Sequence, residues 1–208
     1  HLDHTKDMDI IKAAIDAGFQ SVMIDASQKS FEDNISITRE VVEYAHAKNV
    51  EVEAELGKIG ATDKIETDND ESLYTDPAEA EEFAARTGVD TLAVSIGTAH
   101  GVYPVKNPKI DLERLAQIRK RVSIPLVLHG GSGLPPETVQ AAITIPGGGV
   151  SKINIATDLE QAFLGSLGCQ RKTNREIWQM DEKALAEAAE EVQRVVVDKI
   201  TNFLLWKG

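Results

Sequence analysis

A chain of 208 residues with 42% hydrophobic content can bury a full core, and its length predicts one domain, two at most. The formal charge of −12 excludes nucleic acid as a partner, because a phosphate backbone needs a basic face, but a small anionic substrate needs only a local cluster of donors. One cysteine, Cys169, excludes an internal disulfide framework, and no apolar run approaches the roughly 18 residues of a membrane span or reads as a signal peptide; together these predict a cytoplasmic protein.

The elements alternate in chain order. The opening string His1-Leu2-Asp3-His4 reads as the end of a strand, so the chain looks cut inside that strand. Ile10, Ile11, Ala14 and Ile15 make a helical stripe closed by Gly18. A buried strand, 21–25, precedes a helix capped by Ser30 that carries Ile35, Ile37, Val41 and Val42. A strand over 50–56 leads into a long polar stretch, 58–75, of the kind that forms lids. Asp76-Pro77 starts the next helix, with an N-cap followed by proline in the first turn. A strand over 91–96 precedes a helix that Asp111 opens and that runs from Leu112 to Lys120; a strand over 125–130 precedes a short helix opened by Leu134-Pro135-Pro136. The last strand is expected at 152–157, followed by the helix DLEQAFLG and a long charged helix from about Met180 to Trp206.

Such alternation means a parallel α/β architecture. Five full strands are too few for a closed eight-stranded barrel. Two readings remain: an open doubly wound sheet, or an eight-stranded barrel missing its first two and a half units. A histidine at position 1, at a strand end, favours the second.

In a barrel, residues at strand C-termini converge on one rim. His4, His100 and His129 all fall at such ends, beside glycines that let a ligand approach the backbone. Three imidazoles and an open fourth position are what a catalytic zinc takes. Asp3 beside His4 suits proton transfer, and equally suits a helix N-cap. In a regular strand Asp3 and His4 would face opposite sides, so both reach the rim only where the chain is turning. Asp25 ends its strand. Glu53 and Glu55 share one face, where either a second metal or ion pairs to lysines inside the barrel would satisfy them. His46 lies in a helix without an evident partner and reads as a surface or packing residue. Two stretches look made for phosphate: Gly130-Gly131-Ser132-Gly133, and Asn154 to Asp158 leading into a helix N-terminus.

The motifs H-x-D-H (1–4), E-x-E-L-G (53–57), G-T-A-H-G (97–101), L-H-G-G-S-G (128–133) and K-I-N-I-A-T-D (152–158) occur in that order. With them the chain resembles, from His1 to about Leu164, the class II zinc-dependent ketose-bisphosphate aldolases, the group of fructose- and tagatose-bisphosphate aldolases. The resemblance implies an α/β fold, a (β/α)8 TIM barrel lacking here its first two strands and most of the third. It makes residues 1–208 one barrel domain with a helical extension over about 169–208. It also implies reversible cleavage of a ketose 1,6-bisphosphate into dihydroxyacetone phosphate and glyceraldehyde 3-phosphate. His4, His100 and His129 would hold Zn²⁺; Asp25 and Glu55 match a second metal position. Asp3 would exchange the C4 hydroxyl proton. Gly101, Gly130, Gly131, Ser132, Asn154, Ala156 and Thr157 would contact the substrate. The family's monovalent-cation dependence is not located by these residues. A homodimer or homotetramer is implied, with an arginine from a neighbouring subunit on the distal phosphate, and Arg175 is the candidate.

The chain departs from the family in places. Asp63 stands where the family's loop usually carries a glutamate that takes the C3 proton, one methylene shorter. Ala156 replaces the acidic residue of the bacterial fructose-type subclass, as in tagatose-type members. The stretch Pro146-Gly147-Gly148-Gly149 looks like an insertion, and the tail at 170–181 differs from the best-known members. Two other readings stay open: a metal-dependent hydrolase of a phosphorylated small molecule, kept alive by Asp25 and Glu55, and an inactive binding relative, motivated by Asp63. Lys152 opens the last strand rather than ending it, which weighs against a Schiff-base aldolase.

Overall fold

The computed structural model describes residues 1–58, 60–61, 73–103 and 108–206. Asp63 and most of the expected lid, 58–75, lie outside the described residues.

Strands β1 (Leu2–Thr5), β2 (Ser21–Ile24), β3 (Glu51–Leu56), β5 (Thr91–Val94), β7 (Leu126–Leu128) and β8 (Val150–Ile153) form one parallel sheet in the order β1-β2-β3-β5-β7-β8. Each strand pairs with the next in sequence, with no reversal of order. A doubly wound sheet must reverse at a switch point, so this reading is excluded, and the six strands are a wall of the (β/α)8 barrel. A two-residue ladder, β4 (Gly60–Ala61) with β6 (Ala99–His100), stands apart from the wall.

The helices form where the sequence caps them. Helix α1 (Met8–Asp16) starts at Asp7, whose side chain accepts from the Asp9 N–H. Asp3 is therefore not the cap. Helix α2 (Phe31–His46) starts at Ser30, α3 (Pro77–Thr87) at Asp76 and α4 (Leu112–Arg121) at Asp111, each through a side-chain oxygen on a first-turn N–H. Gly88 closes α3 with φ of 69°, in the left-handed region where a Cβ is penalised. Helix α5 (Pro136–Thr144) follows β7.

The strands turn apolar residues to the helices that cover the outer face of the sheet. Ile11 and Ile15 of α1, Val41 of α2, Phe83 of α3, and Leu115 and Ile118 of α4 close over Val22, Val52, Leu92 and Leu126. Ile10 lies outside that stripe, half exposed.

The C-terminal third differs most from expectation. β8 ends at Ile153, and α6 (Thr157–Ser166) begins where the strand was expected to end. A short helix, α7 (Asn174–Ile177), is held by a reciprocal capping box between Thr173 and Glu176. The final helix, α8 (Glu182–Asp198), gives way to a π-helical turn, Lys199–Phe203. That turn buries Phe203 and places Lys199 Nζ 2.6 Å from Asp158 Oδ2 in α6. The C-terminal helix thus braces the helix whose N-terminus faces the rim.

Candidate metal centre

At the C-terminal rim the three histidines come together from three separate segments. His4 lies in β1 at a register shift against β2, with φ of 38°. This bulge breaks the strict alternation of faces, so consecutive residues Asp3 and His4 both line the same cleft. A non-glycine residue in that conformation costs of order 1–3 kcal/mol, a strain that recurs at functional sites. His129 follows β7 directly and is fully buried. His100 does not end β5 but sits on β6, the small ladder beyond it.

His4 meets the other two rings in T-shaped contacts, and His100 and His129 are tilted against each other. Centroids are 4.4 Å apart for His4 and His129, 4.9 Å for His4 and His100, and 5.9 Å for His100 and His129. Each ring offers one nitrogen, and the three lie within 4.8 Å of one another.

The remaining nitrogens show how the set is oriented. His4 Nδ1 faces Asp25 Oδ2 at 3.4 Å, and His129 Nε2 donates to Glu53 Oε1 at 2.8 Å. His4 Nε2 and His129 Nδ1 are buried with no hydrogen-bond partner. Two buried orphan nitrogens, each on a ring whose opposite nitrogen is fixed by a carboxylate, are the donor set that a divalent ion with tetrahedral preference takes. The residues fit zinc.

Three carboxylates surround this trio, each differently engaged. Asp25 accepts from the Ser27 N–H at 3.2 Å and hydroxyl at 2.7 Å. Burial opposes its ionisation, but the bonds from His4 and Ser27 outweigh that and hold its carboxyl well below the usual carboxylate range. Glu55, His4 and Asp25 offer ligand atoms within 4.8 Å of one another. Glu55 Oε2 also lies 3.5 Å from His129 Nδ1. Glu53 takes the other role: Lys152 Nζ lies 2.9 and 3.2 Å from its two oxygens. Of the two readings of the paired glutamates, the ion pair to a lysine is found at Glu53. His1, Asp3 and Glu53 form a further group, in which Glu53 is already bound to Lys152.

Burial disfavours charge on His4, yet Asp25 and the fields of Glu55 and Asp3 outweigh it and raise its pKa; burial and the two neighbouring imidazoles lower that of His100. His46, read as partnerless, bonds Asp90 through Nε2 at 2.9 Å and ties α2 to the start of β5.

The cleft beside the trio encloses about 410 Å³. It is lined by Asp3, His4, Asp25, Glu55, His100, Gly101, Gly130, Ser132, Asn154, Ala156 and Thr157. Gly131 does not line it; a Cβ there would sit 2.6 Å from Ile153 Cγ2, so the glycine serves the packing of the loop on β8. Arg175 is exposed on α7 and does not line the cleft. Ser132 Oγ accepts from the N–H groups of Ala156 and Asp158, both at 3.2 Å, and so caps α6 from the neighbouring loop. Among the described residues no acceptor takes its proton. Asn154 Nδ2 donates to Asp3 at 3.1 and 3.3 Å, linking the acid to the second stretch of the phosphate cradle.

Some residues at the site carried no sequence signal. Lys6, Ser27 and Gln28 also line the cleft. Tyr103 gives its hydroxyl proton to the Gly130 carbonyl at 2.9 Å and accepts from the Ala99 N–H at 2.8 Å; burial pushes its phenol up to about 12. Lys152 sits third of four residues in β8, so its position does not argue against Schiff-base chemistry; its engagement by both oxygens of Glu53 does.

The model of the family described as fructose-bisphosphate aldolase class-II matches residues 1–205. Among solved structures, the chain is similar to the YdjI aldolase from Escherichia coli K12, with 38% identity and a TM-score of 0.78, covering 97% of this chain and 67% of that one. A candidate fructose-1,6-biphosphate aldolase from Coccidioides immitis matches with 33% identity and a TM-score of 0.80, over 98% and 70% of the two chains. A fructose-bisphosphate aldolase from Campylobacter jejuni matches with 26% identity and a TM-score of 0.68, over 92% and 63%.

Proposed function

Because the chain belongs to the class-II fructose-bisphosphate aldolase family, we propose that it is a zinc-dependent aldolase. On this reading it reversibly cleaves a ketose 1,6-bisphosphate, of fructose or tagatose type, into dihydroxyacetone phosphate and glyceraldehyde 3-phosphate. One observation carries the reading: three histidines offer nitrogens within 4.8 Å of one another, and two of them, His4 and His100, line a cleft that also holds Asp3.

His4, His100 and His129 would hold the ion. When bound, it supplies Lewis acidity, which stabilises negative charge developing on the substrate's ketone oxygen. Asp25 and Glu55 would serve a second metal position. The protein's own groups do the rest. Asp3, oriented by the Asn154 amide, takes the C4 hydroxyl proton in cleavage and returns it in condensation. Asp63 would exchange the C3 proton of the three-carbon half. Gly101, Gly130, Gly131, Ser132, Asn154, Ala156 and Thr157 would form the phosphate side of the site, with the Ser132 hydroxyl and the N-terminus of α6 as donors. Gly131 would act through its backbone. Lys6 is the lysine or arginine among the described lining residues and suits an anionic substrate. Arg175 would reach a distal phosphate only from a neighbouring subunit, which fits a homodimer or homotetramer. A monovalent cation would accompany the substrate. The chain would be one barrel domain, with its helical extension from about residue 169.

No helix among the described residues is long and apolar enough to cross a membrane. The free thiol of Cys169 fits our placement of the enzyme in the cytoplasm. The family match favours the aldolase over a two-metal hydrolase.

The test is a coupled assay with fructose and tagatose 1,6-bisphosphates. The reading predicts dihydroxyacetone phosphate from at least one of them, abolished by a chelator, restored by Zn²⁺ and insensitive to borohydride. Release of inorganic phosphate without carbon–carbon cleavage would mark a hydrolase. Binding without turnover would mark an inactive relative.

A further inference from the structure

His100 is the ligand candidate least anchored by its own strand. It lies on the two-residue β6, outside the six-stranded wall that carries His4 and leads to His129. Among the described residues no carboxylate hydrogen-bonds its ring, in contrast to Asp25 on His4 and Glu53 on His129. Something else must fix where its backbone runs if it is to meet the other two.

Tyr103 occupies that place. Its hydroxyl accepts from the N–H of Ala99, the residue before His100, and donates to the carbonyl of Gly130, the residue after His129. One oxygen thereby ties the two ligand-bearing segments together. The approach is close. A Cβ on Gly130 would lie 2.5 Å from the Ala99 carbonyl oxygen, and Gly130 has φ of 68°, so only glycine lets the segments touch. The ring continues toward the cradle: a Cβ on Gly133 would meet Tyr103 Cδ2 at 3.4 Å. Phenylalanine would fill the same volume and leave both the Ala99 N–H and the Gly130 carbonyl without this partner.

We propose that Tyr103 is a positioning residue of the metal centre, its hydroxyl latching the His100 segment to the His129–Gly130 turn so that both imidazoles are in place before an ion arrives. The inference rests on the reading of the three histidines as a metal site. The latch is part of the apo fold and spares the ion the work of ordering β6, so losing it weakens binding rather than abolishing it. Partners outside the ligand set commonly change metal affinity 10–100-fold.

The experiment is Co²⁺ titration of the metal-free protein, followed by its visible ligand-field absorption, for the wild type, Tyr103→Phe and Ile118→Val. The last removes a methylene from the core within α4 and controls for general destabilisation. The expected result is tight Co²⁺ binding by the wild type and by Ile118→Val. For Tyr103→Phe, affinity should fall by about tenfold or more, with altered band positions or intensity. Equal affinity and superimposable spectra for wild type and Tyr103→Phe would overturn the latch while leaving the metal site standing. Absence of Co²⁺ binding by the wild type would instead overturn the metal site, and the latch with it. Should Tyr103→Phe fail to fold, amide exchange in the wild-type metal-free protein decides. The latch predicts a protected Ala99 N–H before metal is added, and free exchange there contradicts it.

Discussion

His129 Nε2 and Glu53 Oε1 are 2.8 Å apart, both side chains almost completely removed from solvent. The same carboxylate binds Lys152 Nζ. A buried acid, an imidazole and an ammonium thus form one connected unit that sets which nitrogen of His129 is left for an ion. Glu53→Gln keeps the shape but removes the charge that Lys152 faces. Lys152 is partly exposed, which softens the penalty, and the expected loss is about 2 kcal/mol in urea denaturation of the metal-free protein. Zinc affinity should fall 10–100-fold alongside. Unchanged affinity would show that His129 is oriented by packing alone.

The Asp25–His4 pair predicts a pH window for the stability of the metal-free protein. Asp25 has a lowered pKa, so its contribution is complete above its ordinary 3.8 and is lost as pH falls through the lowered value. His4 has a raised pKa, so its contribution is complete below its ordinary 6.5 and is lost as pH rises through the raised value. The stability difference between wild type and Asp25→Asn should therefore be largest between those two ordinary values and shrink on both sides. A difference that stays constant from pH 3 to pH 9, in denaturant midpoints, would show that the pair is not linked to protonation.

The bulge at His4 makes a separate prediction. Both His4→Ala and His4→Gly remove the ligand, and both should abolish cleavage. Only glycine accepts φ of 38° without penalty. In the metal-free state His4→Gly should be more stable than His4→Ala by about 1 kcal/mol, the reverse of the usual order. Chemical denaturation of the two variants checks this.

Lys6 offers a test at the substrate. Replacing it with methionine keeps the stem and removes the charge from the cleft. The KM for a bisphosphate should rise about tenfold with kcat little changed, because a phosphate contact made equally in ground and transition states affects binding alone. A drop in kcat at constant KM would place Lys6 in the chemistry instead.

Much of this architecture is legible in the residues, and the failures have physical causes. The caps at Ser30, Asp76 and Asp111 are local chemistry, and all three start helices as read. The last strand was misplaced because Ile153, Ile155 and Thr157 are β-branched at every second position, while Gly131 N–H and Ser132 Oγ claim the residues from Asn154 onward for a loop and a helix start. Period-two reasoning sets Asp3 and His4 on opposite faces unless the chain is turning, and the departure from regular strand takes the form of a bulge that no local pattern announced. Asp25 and Glu55 lie beside His4 as their strand-end places suggested, but Glu53 could not be separated from Glu55 by spacing, since both face inward. What divides them is Lys152, distant in sequence and adjacent across the barrel. Tyr103 was invisible for the same reason: its partners are backbone atoms from two segments, and only the folded chain shows them side by side.

The account turns on three imidazoles sharing one ion. X-ray absorption fine structure at the zinc edge of the metal-loaded protein counts them directly. It should show three imidazole nitrogens at about 2.0–2.1 Å, falling to two in His129→Ala. Zinc bound without imidazole scattering, or a signal that His129→Ala leaves intact, would contradict the account.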